Sequence, residues 1–146
     1  MNFKYIVIHH SLTEDGKTVS WSAIRKYHKE MLGWSDIGYH MGVEDIYGEY
    51  EVLVGRPLTR PGAHCTHLDM NRQGIGICFV GNYDVIKPSM GMILIAMNRI
   101  IIPLCKLYGI PWNNIIGHRE AGAPKTCPGL LYDMDVLREL VRHELK

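Results

Sequence analysis

The chain has 146 residues, of which 47% are hydrophobic and 21% charged, and its formal net charge at pH 7 is +1. This length suits one domain with its own hydrophobic core, and the small charge excludes the strong electrostatic attraction to nucleic acid or anionic membranes that a basic protein has. We therefore expect a single domain over residues 1–146 that is monomeric, has no nucleic-acid partner and does not insert into a membrane.

The first half of the chain predicts three strands and one helix. Residues 4–9 form a β-branched apolar run typical of a buried strand. Residues 18–32 predict a helix that Ser20 caps. Its inward face, at helical spacing, would consist of Ile24, Tyr27, His28, Met31 and Leu32. Residues 39–43 and 50–54 predict two strands joined by a turn, and a long irregular loop of the kind that is often functional covers residues 55–73.

The second half continues with alternating strands and helices. Residues 75–80 and 115–116 predict strands, residues 89–107 predict a helix kinked or interrupted at Pro103, and Asp133 can cap a last helix. Asn98, Arg99 and Pro103 interrupt the apolar run of residues 90–107, which argues against a membrane span. Strict βαβ alternation is missing, so we expect an α/β fold: a single domain with a mixed central β-sheet flanked by helices.

The stretch GHREAGAPKTCPG, residues 117–129, places an imidazole, an amine and a thiol in a predicted loop. His118 follows one predicted strand and His9 ends another, so both rings are expected at an edge of the sheet. With Cys127 they offer N, N and S donors, and three protein ligands plus one open position is the arrangement of catalytic zinc. The alternative is that His118 is a capping or surface residue and Cys127 a spare thiol, because their spacing is not a short-range metal signature. Of His9 and His10, only one faces the site, since successive strand residues point to opposite faces.

Several further stretches match one family in the correct order. They are IVIHHS (6–11), IRKYHKEMLGWSDIGYHMGV (24–43), GRP (55–57), GAH (62–64), residues 71–77, FVGN (79–82) and GHREAGAPKTCPG (117–129). Together they resemble the zinc-dependent N-acetylmuramoyl-L-alanine amidases of the type 2 family, which includes phage lysozyme-like amidases and animal peptidoglycan recognition proteins. The resemblance extends from about residue 5 to residue 130 and implies the fold of that family.

The resemblance also implies roles for particular residues. The implied ligands of one Zn²⁺ per chain are His9, His118 and Cys127, and Tyr39 and Lys125 would flank the reacting carbonyl group. The implied groove-lining residues are His64, Arg56 and Asn71, with bracing of the loops as their alternative role. We interpret Glu120 as a supporting or surface residue. Cys65 and His67 lie near the groove, but two residues are too few for a second metal site.

The implied reaction is zinc-dependent hydrolysis of the amide bond between N-acetylmuramic acid and L-alanine in peptidoglycan. Family members that only bind peptidoglycan lack the cysteine ligand, whereas this chain has Cys127. The alternatives are a non-catalytic peptidoglycan-binding module and an amidase acting on soluble muropeptides in recycling. The apolar run after Lys4 is too short for a signal peptide, so we expect a chain that is cytoplasmic as synthesised and reaches the cell wall after release, as an endolysin does through a phage holin.

Overall fold

A five-stranded mixed sheet forms the centre of the computed structural model, which describes residues 1–13 and 20–146. The strands are β1 (Tyr5–His10), β2 (Met41–Ile46), β3 (Glu49–Val54), β4 (Gly74–Phe79) and β5 (Ile115–Gly117). Their spatial order is β3-β2-β4-β1-β5, with β2 and β3 antiparallel and the other neighbours parallel. The predicted fold class, one domain with a mixed sheet between helices, is confirmed.

Within residues 1–13 and 20–146, five α-helices surround the sheet. They are α1 (Ser20–Lys26), α2 (Met70–Gln73), α3 (Met90–Ala96), α4 (Ile102–Tyr108) and α5 (Met134–Glu144). Wider π-type turns extend α1 over Tyr27–Met31 and join α3 to α4 over Met97–Ile101, and short 3₁₀ turns cover His67–Asp69, Trp112–Asn114 and His118–Ala121. Pro103 lies in the first turn of α4. The π-type turns directly before it accommodate its missing N–H, so the predicted helix is bulged there and continues to Tyr108.

The core lies between the sheet and the helical stretch Met90–Tyr108. Both faces of β1 and β4 are buried, as expected for central strands that run parallel and are covered on both sides. Met90–Tyr108 is long and apolar enough to cross a membrane by composition, but half of it is buried inside the molecule. Its inward residues, including Met97, Ile100 and Ile101, pack with Ile6 and Ile77 in one hydrophobic cluster. The stretch therefore serves as the core helix of this domain.

The predicted inward face of the first helix is only partly correct: Ile24 and His28 are half-buried, and Ile24 packs against the cluster beside the sheet. Tyr27, Met31 and Leu32 are 53%, 73% and 43% exposed, whereas Trp21 is buried. The helix is held at its first turn, where Trp21 packs against the sheet. The π-type turn over Tyr27–Met31 then shifts the register, so residues chosen at a spacing of 3.6 no longer share one face.

The predicted start of this helix, at residue 18, lies outside the described residues. Ser20, predicted as the cap, is its first described residue. The carboxylate of Glu44, buried on β2, accepts hydrogen bonds from the backbone N–H groups of Ser20 (2.9 Å) and Trp21 (3.2 Å). The Glu44 carboxylate accepts from backbone N–H groups of the first described turn and complements the helix dipole. A side chain of β2 therefore stabilises this part of the helix as an N-cap would.

The hairpin of β2 and β3 is tighter than predicted. The expected first strand, residues 39–43, begins at Met41 and runs on to Ile46, so Tyr39 lies just before β2. Only Tyr47 and Gly48 form the turn, and both have positive φ, 52° and 86°. This two-residue turn matches the twist of paired strands, which explains why the strands extend into the segment predicted as a turn.

Candidate metal centre

Three predicted ligands come together at one edge of the sheet. β1 and β5 are parallel neighbours in which Ile8 pairs with Gly117, so His9 and His118 leave their strands side by side. The donor atoms of His9, His118 and Cys127 lie within 4.8 Å of one another, and all three residues are buried. The two imidazole centroids are 4.6 Å apart, and Cys127 Sγ lies 3.7 Å from His9 Nδ1. This cluster could hold a metal ion.

Polar contacts fix the loop that carries Cys127. The Arg119 backbone N–H donates to the Cys127 carbonyl at 2.8 Å, and its guanidinium donates to the carbonyls of Thr126, Gly129 and Tyr132. Glu120 Oε1 accepts from the Gly117 N–H and from Arg138, each at 2.8 Å. The loop is thereby folded back onto the end of β1, and the Glu120 carboxylate supports it instead of entering the site.

The protonation states of the three donors suit a metal. Burial lowers the pKa of His118 to about 4 and lowers that of His9 well below its ordinary value, so both rings are neutral ligands. Burial raises the pKa of the metal-free Cys127 thiol to about 11, so a bound cation must displace its proton. The His10 backbone N–H lies 3.4 Å from Cys127 Sγ and stabilises negative charge on it. Two neutral imidazoles and a thiolate fit Zn²⁺.

His64 fixes which nitrogen of His9 faces the cluster. His64 Nε2 is 3.0 Å from the Gly74 carbonyl oxygen, which only accepts, so Nε2 carries the proton. His64 Nδ1 must then accept from His9 Nε2, 2.9 Å away. That assignment leaves the lone pair on His9 Nδ1, which lies 3.7 Å from Cys127 Sγ. Both nitrogens of His64 are engaged, which favours a role in orienting the predicted ligand His9; His64 also lines the cavity, and its predicted place in the groove stays a prediction.

Replacing His64 should weaken metal binding without removing a ligand. In His64→Leu the His9 Nε2–H loses its acceptor and the ring loses its fixed orientation. We expect zinc affinity to fall by about 10–100-fold, measured by competition with a chromophoric chelator. His40→Leu is the control for loss of a buried imidazole, because His40 is also buried, packs against His64 and bonds the backbone of Arg60 and Gly76 without contacting His9 through a hydrogen bond. Unchanged affinity in folded His64→Leu would contradict the orienting role.

The neutral histidines also make the metal-free protein sensitive to acid. Burial lowers the pKa of His64 to about 3 and of His118 to about 4, whereas an unfolded histidine titrates near 6.5. Below pH 6.5 the unfolded chain therefore binds more protons than the folded one, and stability is lost as pH falls from about 6.5 towards 4. Urea unfolding of metal-free protein at pH 7, 6 and 5 should show a falling free energy of unfolding, and His64→Leu should show a shallower decline. A flat profile in the wild type would contradict neutral buried rings.

The two predicted catalytic residues border the same cavity as the cluster. This cavity, of about 250 Å³, is lined by Tyr39, Lys125, His9, His118 and Cys127 among others. The Tyr39 ring lies 5.2 Å from the His9 ring. Burial raises the pKa of Tyr39 well above its ordinary value, so it stays a neutral phenol that can donate a hydrogen bond. Lys125 is exposed in the loop between His118 and Cys127.

Arg56 and Asn71 have bracing contacts. The Arg56 guanidinium donates to the carbonyls of Ile37 (2.9 Å) and Pro61 (3.1 Å). Asn71 Oδ1 accepts from the backbone N–H groups of His64 (2.7 Å) and Cys65 (2.8 Å). These contacts favour the loop-bracing alternative for both residues, and Asn71 in particular positions the segment that carries His64.

His28, predicted on the inward face of the first helix, supports Tyr39 through contacts that its spacing did not specify. Its Nδ1 accepts from the Gly38 N–H at 2.9 Å, and its ring lies 4.6 Å from that of Trp34 and 5.9 Å from that of Tyr39. These contacts tie the segment before β2 to the first helix and so place Tyr39. The helical spacing around His28 indicates a face but carries no information about a contact with this segment.

Comparison with known proteins identifies relatives over most of the chain. Peptidoglycan-recognition protein SC2 of Drosophila melanogaster is 32% identical over 130 residues, covering 86% of this chain and 67% of the relative. The human N-acetylmuramoyl-L-alanine amidase is 32% identical over 123 residues, covering 82% of this chain and 19% of that protein. Among solved structures, the amidase LysC from Clostridium intestinale shares the fold, with a TM-score of 0.80 at 22% identity, over 96% of this chain and 85% of LysC.

The family assignment rests on a match along nearly the whole chain. The family model described as N-acetylmuramoyl-L-alanine amidase matches residues 1–130, a range that contains the cluster, Tyr39 and Lys125. Both the fold and the amino-acid sequence therefore lead to one assignment. This chain belongs to the type 2 N-acetylmuramoyl-L-alanine amidase family, whose relatives include peptidoglycan recognition proteins.

Proposed function

We propose that this chain hydrolyses the amide bond between N-acetylmuramic acid and L-alanine in peptidoglycan, with one zinc ion held by His9, His118 and Cys127. One observation carries the proposal: three buried donors of the N, N, S kind lie within 4.8 Å of one another in a cavity that Tyr39 and Lys125 also line. Binding of peptidoglycan alone does not require three buried metal-binding side chains in one cavity. The family assignment supports peptidoglycan as the substrate.

The cavity offers donors for the charge that develops during hydrolysis. A zinc ion bound by the three residues would lower the pKa of a coordinated water and polarise the amide carbonyl group. The Lys125 ammonium group and the Tyr39 phenol border the same space and can donate to the carbonyl oxygen as it becomes negative. Such donors are worth about 3 kcal/mol each in barrier terms. His64 contributes indirectly, by holding His9 in the orientation that binds the metal.

The proton of the attacking water must reach the nitrogen of L-alanine. Among the described residues that line this cavity, none carries a carboxylate, and Glu120 is engaged with Gly117 and Arg138. Tyr39 borders the cavity and could relay this proton: the phenol oxygen would take up the proton of the water while its own O–H proton passes to the nitrogen, so the side chain stays neutral, and the alternative is direct transfer from the attacking water. The carbonyl carbon then gains the water oxygen, the carbon–nitrogen bond breaks, and the amine leaves with the transferred proton.

The bond cleaved and the size of the substrate are tested together by digestion of purified sacculi and of a soluble N-acetylmuramoyl peptide. Mass spectrometry should show stem peptides with a new L-alanine amino terminus released from sacculi, as a cell-wall-degrading, endolysin-like enzyme requires. Cleavage of the soluble substrate alone would favour muropeptide recycling. Sedimentation with sacculi without release of any stem peptide would overturn the hydrolase and leave a recognition module.

A further inference from the structure

A second group of metal-binding side chains adjoins the first and shares His118 with it. The donor atoms of Cys65, His67 and His118 lie within 4.8 Å of one another. Cys65 and His118 are buried, and His67 is exposed. Sequence spacing offers only the pair Cys65 and His67, and the fold supplies the third donor from the end of β5.

The segment with Cys65 and His67 is held in place by its backbone. Asn71 Oδ1 accepts from the Cys65 N–H at 2.8 Å, and the 3₁₀ turn His67–Asp69 follows directly. Leu68 has a left-handed φ of 54°, which bends the chain immediately after His67. The Cys65 thiol donates a long hydrogen bond of 3.7 Å to the His67 carbonyl oxygen, a weak interaction that a cation would readily replace.

We propose that Cys65, His67 and His118 form a second site for a thiophilic divalent cation such as Zn²⁺, which competes with the first site for His118. The donors are again N, N and S, the set that zinc prefers. A neutral imidazole has a lone pair on one nitrogen only, so the ring binds one cation at a time. The two sites therefore cannot both be complete, and a cation in the second draws His118 away from the first. Binding of a cation by these three residues does not depend on the reaction proposed above, whereas competition with the first site and inhibition of hydrolysis rest on the proposed function.

The first site is the tighter of the two. His9 is oriented by His64, and Cys127 Sγ receives the His10 N–H. In the second site His67 is exposed and must lose rotamer freedom to bind. Lys125 lines the cavities of both sites, so its charge does not distinguish them. The second site therefore fills when cation is in excess or when a ligand of the first site is missing, and excess zinc should inhibit hydrolysis.

Cobalt titration of the metal-free, full-length chain tests the second site directly, because a cobalt–thiolate bond gives an absorption band in the near ultraviolet. We expect Cys127→Ser to bind one Co²⁺ more weakly than the wild type does and still to show the thiolate band. Adding Cys65→Ser to that variant should abolish the band, and adding His67→Ala should weaken binding by more than about tenfold, since one of three ligands is lost. Cys127→Ser combined with Cys105→Ser is the matched control, because Cys105 is buried in the core cluster around α4.

The outcomes separate the second site from the first. Two results would overturn the second site. One is that folded Cys127→Ser shows no thiolate band. The other is that the band persists after Cys65→Ser is added. The first site is judged by Cys65→Ser alone, which should keep the thiolate band of Cys127 at the first equivalent of cobalt. Loss of that band while Cys127→Ser keeps its own would support the second site and count against the proposed ligand set of the hydrolase.

Discussion

Cys127→Ala should lose zinc from the first site and at least about 1,000-fold in the rate of amide hydrolysis. The metal supplies several kcal/mol of transition-state stabilisation, and each 1.4 kcal/mol corresponds to a factor of ten in rate. The fold should survive, because Cys127 lies in a loop braced by Arg119 and outside the main hydrophobic cluster. The measurement is the rate per folded molecule, together with zinc content after dialysis.

The control for this variant is Cys105→Ala, which removes a buried thiol from the core around α4 and should leave zinc content and rate per folded molecule unchanged. Zinc content by itself does not decide the result, because Cys65, His67 and His118 could retain a weakly held ion at the second site. If Cys127→Ala retains zinc without activity, and a further Cys65→Ser change removes that zinc, both proposed sites are supported. One equivalent of zinc with a wild-type rate would remove Cys127 from the ligand set.

Lys125→Ala should keep its zinc and slow turnover by a factor of about 100 or more. The ammonium group donates to the carbonyl oxygen mainly once that oxygen has become negative, so its loss raises the barrier of the chemical step. We expect the loss in kcat, with little change in KM, because the interaction strengthens in the transition state. Steady-state kinetics on a soluble N-acetylmuramoyl peptide measures both constants.

Lys106→Ala is the matched control for the change in charge, because Lys106 is exposed on α4. It should have wild-type kinetics. If Lys125→Ala also turns over at the wild-type rate while binding zinc normally, Lys125 has no role in stabilising the oxyanion. A rise in KM alone would instead assign Lys125 to substrate binding.

The fold could be predicted largely from local patterns. The β-branched runs around Ile6 and Ile75 identify the central strands, because strands buried on both faces are apolar along their length. The first helix shows where this reasoning fails. Its spacing predicts an inward Met31, yet the π-type turn changes the register and Trp21 and Glu44 hold the helix at its start. Those contacts join elements that are distant in sequence, so the hydrophobic periodicity of the helix cannot predict them.

The candidate site required more than spacing. His9 lies more than one hundred residues before His118, and only the pairing of β1 with β5 brings the two rings together. The resemblance to a family could identify these residues, because it depends on several motifs that occur together and in the same order. The resemblance could not predict that His64 orients His9 or that His118 lies near Cys65. Both features depend on side-chain contacts between segments distant in sequence.

We propose that this chain uses one zinc ion at His9, His118 and Cys127 to cleave the bond between the glycan and its peptide stem. The most direct test is the metal content of chelator-washed protein, paired with release of L-alanine amino termini from purified cell walls before and after equimolar zinc is restored. We expect no release from the stripped protein, tight rebinding of one zinc per chain, and recovery of release in the same proportion. Folded protein that binds cell walls but takes up no zinc tightly and releases nothing would contradict this proposal.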